Sequence, residues 1–101
     1  MKPTDQIPDM PALRAEIDQL DAQLVALLAR RRDLIDRAAR IKAGNGLPAR
    51  IDARVEEVVA NVRRLAAAAG LDADLIETLW RQLIEAAIAQ EERHLNRKER
   101  P

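Results

Sequence analysis

The sequence predicts an all-α fold of three helices, one long and two shorter, assembled as an intertwined homodimer. Three observations predict it. The 101 residues are rich in Ala, Leu, Glu, Arg and Gln, which are strong helix formers, and include a single aromatic residue, Trp80. Apolar residues recur at steps of three and four through three segments punctuated by glycine. The first of these segments is too long for the other two to cover.

Residues 1–11 read as a flexible N-terminal tail with two prolines in its first eight residues. Asp9 is placed to cap the helix that follows, and Pro11 is tolerated in a first turn. The long helix is predicted over about 12–43, with Leu13, Ile17, Leu20, Leu24, Leu27, Leu28, Leu34, Ile35, Ala38 and Ile41 on its stripe. Gly44-Asn45-Gly46-Leu47-Pro48 stops it. The second helix is predicted over 51–69, with Ile51, Val55, Val58, Val59, Val62 and Leu65 on one face and Gly70 at its end. Asp72 caps the third, over 73–96, whose inner face carries Leu75, Ile76, Leu79, Trp80, Leu83, Ile84, Ala87, Ile88 and Leu95. Residues 97–101 form a polar C-terminal tail, so the functional domain is expected over 12–95.

About 30 helical residues make a rod of roughly 45 Å, whereas a compact domain of about 100 residues has a radius of gyration near 13 Å. No Pro or Gly lies between Leu13 and Lys42 to bend the rod back on itself. A second copy, laying its own long helix alongside, is the predicted cover.

Composition excludes several classes of function. Lys+Arg and Asp+Glu both number 17, so the basic excess of a nucleic-acid binder is missing. No apolar run approaches the roughly 20 residues of a membrane span, and the N-terminus lacks the apolar core of a signal peptide. With no cysteine there is neither a disulfide nor a thiolate metal site. A cytoplasmic location is expected.

The informative charges fall on the apolar stripes. Arg31 lies seven residues after Leu24 and four after Leu27, in line with both; Arg30 and Arg32 point about 100° to either side. Lys42 lies seven after Ile35. Arg31 and Lys42 share a face to within about 20°, roughly 16 Å apart along the axis. Arg14 sits on the rim, about 60° from Ile17. Arg54 edges the second helix's apolar face, and Glu91 continues the line of Trp80, Ile84 and Ala87 on the third. Buried cations are costly unless paired, and few carboxylates share these stripes. An anionic ligand therefore explains them, gripped by the arginine fork and a lysine point charge. Arg14 and Lys42 are about 42 Å apart on one helix. They meet one small molecule only if crossing helices bring Arg14 of one protomer to the site of the other, giving two shared sites per dimer.

Each residue also has a plainer reading. Arg31 snorkels, Lys42 serves the helix dipole, Arg14 lies at the surface or pairs with Asp18, Arg54 pairs with Glu56 or Glu57, Glu91 is solvated and Trp80 is core. His94 falls on the exposed side without metal-ligand partners and receives no role.

Residues 13–42, LRAEIDQLDAQLVALLARRRDLIDRAARIK, resemble the first helix of the AroQ-type chorismate mutases. The resemblance rests on Leu13-Arg14, the Ile17-Asp18 to Leu20-Asp21 segment, the Leu24–Leu28 run, Arg31 and Lys42. It extends through Arg54 early in the second helix to Gly70-Leu71-Asp72, Leu79-Trp80 and Ile84-Glu85. It covers roughly residues 12–95 and is nearest the short, stand-alone type of α-proteobacteria.

The resemblance implies an all-α dimer with shared active sites. It implies conversion of chorismate to prephenate on the way to phenylalanine and tyrosine, with no metal or cofactor. On that pattern, Arg14 of the partner and Arg31 clamp the substrate carboxylates, Lys42 donates to the ether oxygen as its C–O bond breaks, and Arg54 supports the site. Three positions depart from the family. Val55 replaces a glutamate that contacts the ring hydroxyl, Ala87 replaces a serine near a carboxylate, and Glu91 stands where many members carry glutamine as second donor to the ether oxygen. Glu91 donates there only when protonated, which implies a raised pKa and faster turnover in acid. Isochorismate-pyruvate lyases, which form salicylate, share the fold and the Arg14, Arg31 and Lys42 positions; Val55 makes them the main alternative. A non-catalytic helical dimer that binds an acidic metabolite is the other.

Overall fold

The computed structural model describes residues 3–99, with side chains through Asn96. All regular structure among them is helical: a 3-10 turn at Thr4–Gln6, then α1 (Met10–Asn45), α2 (Asp52–Ala68) and α3 (Ala73–Glu99). The chain divides into two compact units, Met1–Asp33 and Leu34–Pro101.

The α2 bounds agree with the sequence expectation to within one residue, α1 runs on to Asn45, two residues past its expected end, and the largest differences lie at the two termini. The predicted flexible N-terminal tail contains the 3-10 turn, closed by the Gln6 N–H on the Pro3 carbonyl at 3.1 Å, and α1 starts two residues early. The Asp9 carboxylate caps it, accepting the Ala12 N–H at 3.0 Å. The predicted C-terminal tail is helical through Glu99, because Asn96-Arg97-Lys98-Glu99 holds no helix breaker. Those parts of both expected tails at residues 1–2 and 100–101 lie outside the described residues.

The first unit buries almost nothing. Ile17, Leu20, Leu24, Val25, Leu27 and Leu28 are all exposed, Leu27 to 66%. The periodic stripe is there, and nothing within this unit covers it.

The second unit has the core. Ala49, Val59, Ile84 and Ile88 are buried together, with Val55, Val58 and Leu95 packed against them. α2 and α3 form an antiparallel pair joined by a tight turn. Gly70, at φ +74°, ends α2 with its left-handed backbone, so that the Leu71 N–H reaches the Ala66 carbonyl at 2.8 Å. The Asp72 carboxylate then caps α3 by accepting the Asp74 N–H at 2.9 Å. Trp80, read as core, is only half-buried in the single chain.

A chain of ion pairs ties the outer faces of α2 and α3. Arg63 donates to Asp74 at 3.0 Å and to Glu77 at 2.8 Å. Arg81 donates to Glu77 at 2.7 Å and to Glu56 at 3.0 Å. The Arg81 hydrogen bond, the largest effect, holds the Glu77 carboxyl below its ordinary value of 4.5 against desolvation, with a lesser contribution from the Arg63 hydrogen bond. A depressed carboxyl pKa contributes stability above the unfolded value and loses it as pH falls through the folded one. Glu77→Gln is therefore expected to lower the Tm near neutral pH, with the gap from the unsubstituted protein closing below 4.5. A gap that persisted unchanged into acid would show that the ionised carboxylate is not what matters there.

Candidate active site

The second unit brings two of the predicted site residues together. Lys42, in the last turn of α1, extends its ammonium to Glu91 on α3, with Nζ 3.1 Å from each carboxylate oxygen. The same Nζ donates to the Ala49 carbonyl at 2.7 Å. The Glu91 side chain is 5% exposed and that of Lys42 18%. Glu91 is thus neither solvated nor remote. It supplies the buried counter-charge that the stripe of α1 lacks, from 49 residues further along the chain.

A cavity of about 760 Å³ opens beside this pair, walled by Lys42, Leu47, Pro48, Arg50, Glu92 and Leu95 among others. Arg50 was not among the residues the sequence singled out. It follows Pro48 in a connecting segment, outside any periodic face, so helical spacing gives no signal for it. Its guanidinium grips both Glu85 oxygens, at 2.5 and 2.6 Å, which raises its pKa further above the usual arginine range.

The remaining candidates are placed as follows. Val55 is half-buried and packs on the core, and Ala87 is 8% exposed on α3, one turn before Glu91. Arg54 is exposed on α2 and hydrogen-bonds Glu57, the plainer of its two readings. In the first unit, Arg14 is exposed and Arg31 half-buried; neither makes an ion pair among the described residues. Arg14 is thus at the surface, one of its two plainer readings, and the other, a pair with Asp18, is not formed. His94 corrects a second expectation: its Nε2 is buried with no hydrogen-bond partner. It lies seven residues after Ala87, about 20° away on the helical wheel, and so follows the inner line and not the solvent face.

A part-buried lysine paired with a buried carboxylate, a backbone carbonyl and an adjoining cavity make a candidate site for a small polar ligand. Residues 13–92 match the protein family described as chorismate mutase type II.

The chain belongs to the chorismate mutase type II family.

Chorismate mutases are isomerases, and the match spans all three helices. Among curated relatives, the T-protein of Haemophilus influenzae is 40% identical over 80 residues, covering 78% of this chain but 21% of that protein. The chain thus spans about a fifth of the length of the T-proteins it matches. The isochorismate pyruvate lyase of Pseudomonas aeruginosa is 34% identical over 92 residues, covering 90% of this chain and 89% of the lyase. The 4-amino-4-deoxychorismate mutase of Streptomyces venezuelae is 38% identical over 76 residues, covering 75% and 74%. Among the described residues no helix is long and apolar enough to cross a membrane.

The Lys42–Glu91 pair has a stability signature. Removing one member of a buried pair strands the other charge, so Lys42→Met and Glu91→Leu are each expected to cost about 3 kcal/mol in denaturant unfolding. The double variant should cost less than either single one, because no charge is then left alone. Strictly additive costs would mean that the two groups do not stabilise one another.

Proposed function

We propose that this chain is a chorismate mutase, converting chorismate to prephenate by holding the dianion folded and stabilising its breaking ether bond. The observation that carries the proposal is the part-buried Lys42 ammonium, fixed between Glu91 and the Ala49 carbonyl at the edge of a cavity, in a member of this family. Rearrangement is intramolecular, so no nucleophile is required. The protein's work is to select the folded conformer and to place a positive donor where negative charge develops. Lys42 is assigned that donor. Arg31 and the partner's Arg14 are assigned the two carboxylates, each with a fork free for bidentate binding. Arg54 supports the site once drawn from Glu57. Glu91 accepts from Lys42 and is therefore assigned the holding of that ammonium, in place of the donor role the resemblance implied.

The homodimer belongs to the same proposal. The exposed leucines of α1 make a contiguous apolar face of the kind that marks an association surface, and a second copy offers a matching stripe. A cytoplasmic location fits a metabolic enzyme of this kind.

Two observations favour isochorismate-pyruvate lyase as the second reading. The Pseudomonas lyase aligns along almost its whole length, and Val55 is packed into the core as an apolar wall, with no polar atom to meet a ring hydroxyl.

Separate incubation with chorismate and isochorismate, with products identified by mass spectrometry and NMR, tests the assignment. Prephenate from chorismate, lost by at least about 100-fold in Arg31→Ala, is expected. Pyruvate and salicylate from isochorismate, with little prephenate, would transfer the chain to the lyase reading.

A further inference from the structure

We infer that the segment Gly46–Ala49, which closes α1, is a positioning element for Lys42, so that the helix cap itself aims the ammonium. The inference rests on the assignment of Lys42 as the electrostatic donor and adds how its direction is set.

A lysine ammonium sits on a flexible four-carbon stem and carries three equivalent donors, so left alone it samples many directions. Lys42 is held at both ends by one short stretch of chain. At the backbone end, its carbonyl accepts the Leu47 N–H at 2.9 Å. This is the long bond of a Schellman cap, which forms only because Gly46 turns the chain with φ +68°. At the side-chain end, Nζ donates to the Ala49 carbonyl at 2.7 Å. Ala49 is itself fixed, being 6% exposed and part of the cluster with Val59, Ile84 and Ile88. Glu91 holds Nζ from α3. With the Ala49 and Glu91 acceptors occupying two directions, the remaining donor direction is defined before any ligand arrives. Such preorganisation is what makes an electrostatic contact effective in a transition state.

The chain carries its own control. Gly70 closes α2 with the same left-handed turn, at φ +74°, and the same cap bond, Leu71 N–H to the Ala66 carbonyl at 2.8 Å. A Cβ added at Gly46 or at Gly70 meets nothing within 4 Å. Alanine at either position therefore strains the backbone alike and clashes with nothing, but only Gly46 governs Lys42.

The experiment compares Gly46→Ala, Gly46→Asn and Gly70→Ala in the full chain. Thermal melts, kcat and KM for chorismate, and the ¹H–¹⁵N signal of the Lys42 ammonium are measured. The sequence has only three lysines, and Lys42→Arg assigns the signal. A held ammonium gives a slowly exchanging signal. Both alanine variants should lose similar stability. Gly46→Ala alone should lose the Lys42 signal and at least about tenfold in kcat with little change in KM. Gly46→Asn, which tolerates the left-handed backbone, should retain both. If Gly46→Ala and Gly70→Ala affect the signal and kcat equally, or neither affects them, the positioning role is overturned. If the unsubstituted protein turns over no chorismate yet Gly46→Ala alone loses the signal, the positioning role stands and the mutase assignment falls.

Discussion

A 36-residue helix whose apolar stripe stands exposed is the constraint from which the rest follows. Of all its residues only Ala39 is buried, while Leu24 is 50% and Leu27 66% exposed. At about 25 cal/mol per Å² of apolar surface, several exposed leucines in a row represent a large unrealised burial. The same stripe carries Arg31, and its last turn carries Lys42. In the proposed dimer, the surface that a second copy would cover also bears Arg31. On the proposed reading, association and ligand binding are two uses of one helix face.

Lys42 shows how this fold keeps a cation on an apolar stripe. The cost of burying it is offset by Glu91, which is itself more buried than the lysine, and by a carbonyl that the α1 cap delivers. The cap therefore does more than end a helix. Contacts of this kind rigidify a polar centre by fixing the direction of its donors. Arg50, locked to Glu85, sits on the wall of the adjoining cavity and keeps a second positive charge near the first. The orphaned His94 Nε2, one turn beyond Glu91, is the single buried side-chain atom among the described residues left without such a partner.

Local chemistry made much of the fold legible in the sequence. The caps at Asp9 and Asp72, the stops at Gly46 and Gly70, and the three- and four-residue steps of leucine and isoleucine act within a turn or two, so spacing reveals them. Helix ends were less legible, since Asn96–Glu99 is polar yet competent to be helical, and polarity alone suggested a tail. Of the site, the in-line positions of Lys42 and Glu91 could be read, but their pairing could not. It joins residues 49 apart in sequence, through a packing that no periodicity encodes. The Ala49 carbonyl is a backbone group and leaves no trace in residue identity. Arg54 was ambiguous from spacing alone, and the chain pairs it with Glu57.

The central claim is that each site is completed by a second copy, with Arg14 from one protomer and Lys42 from the other. The most direct test mixes two variants, Arg14→Ala and Lys42→Ala, each inactive alone, and allows their subunits to exchange. A mixed dimer would hold one site lacking both residues and one site lacking neither. Random exchange of equal amounts is then expected to restore about a quarter of the unsubstituted activity. Activity that never rises above that of the parent variants, with exchange verified by mass spectrometry, would contradict the shared site.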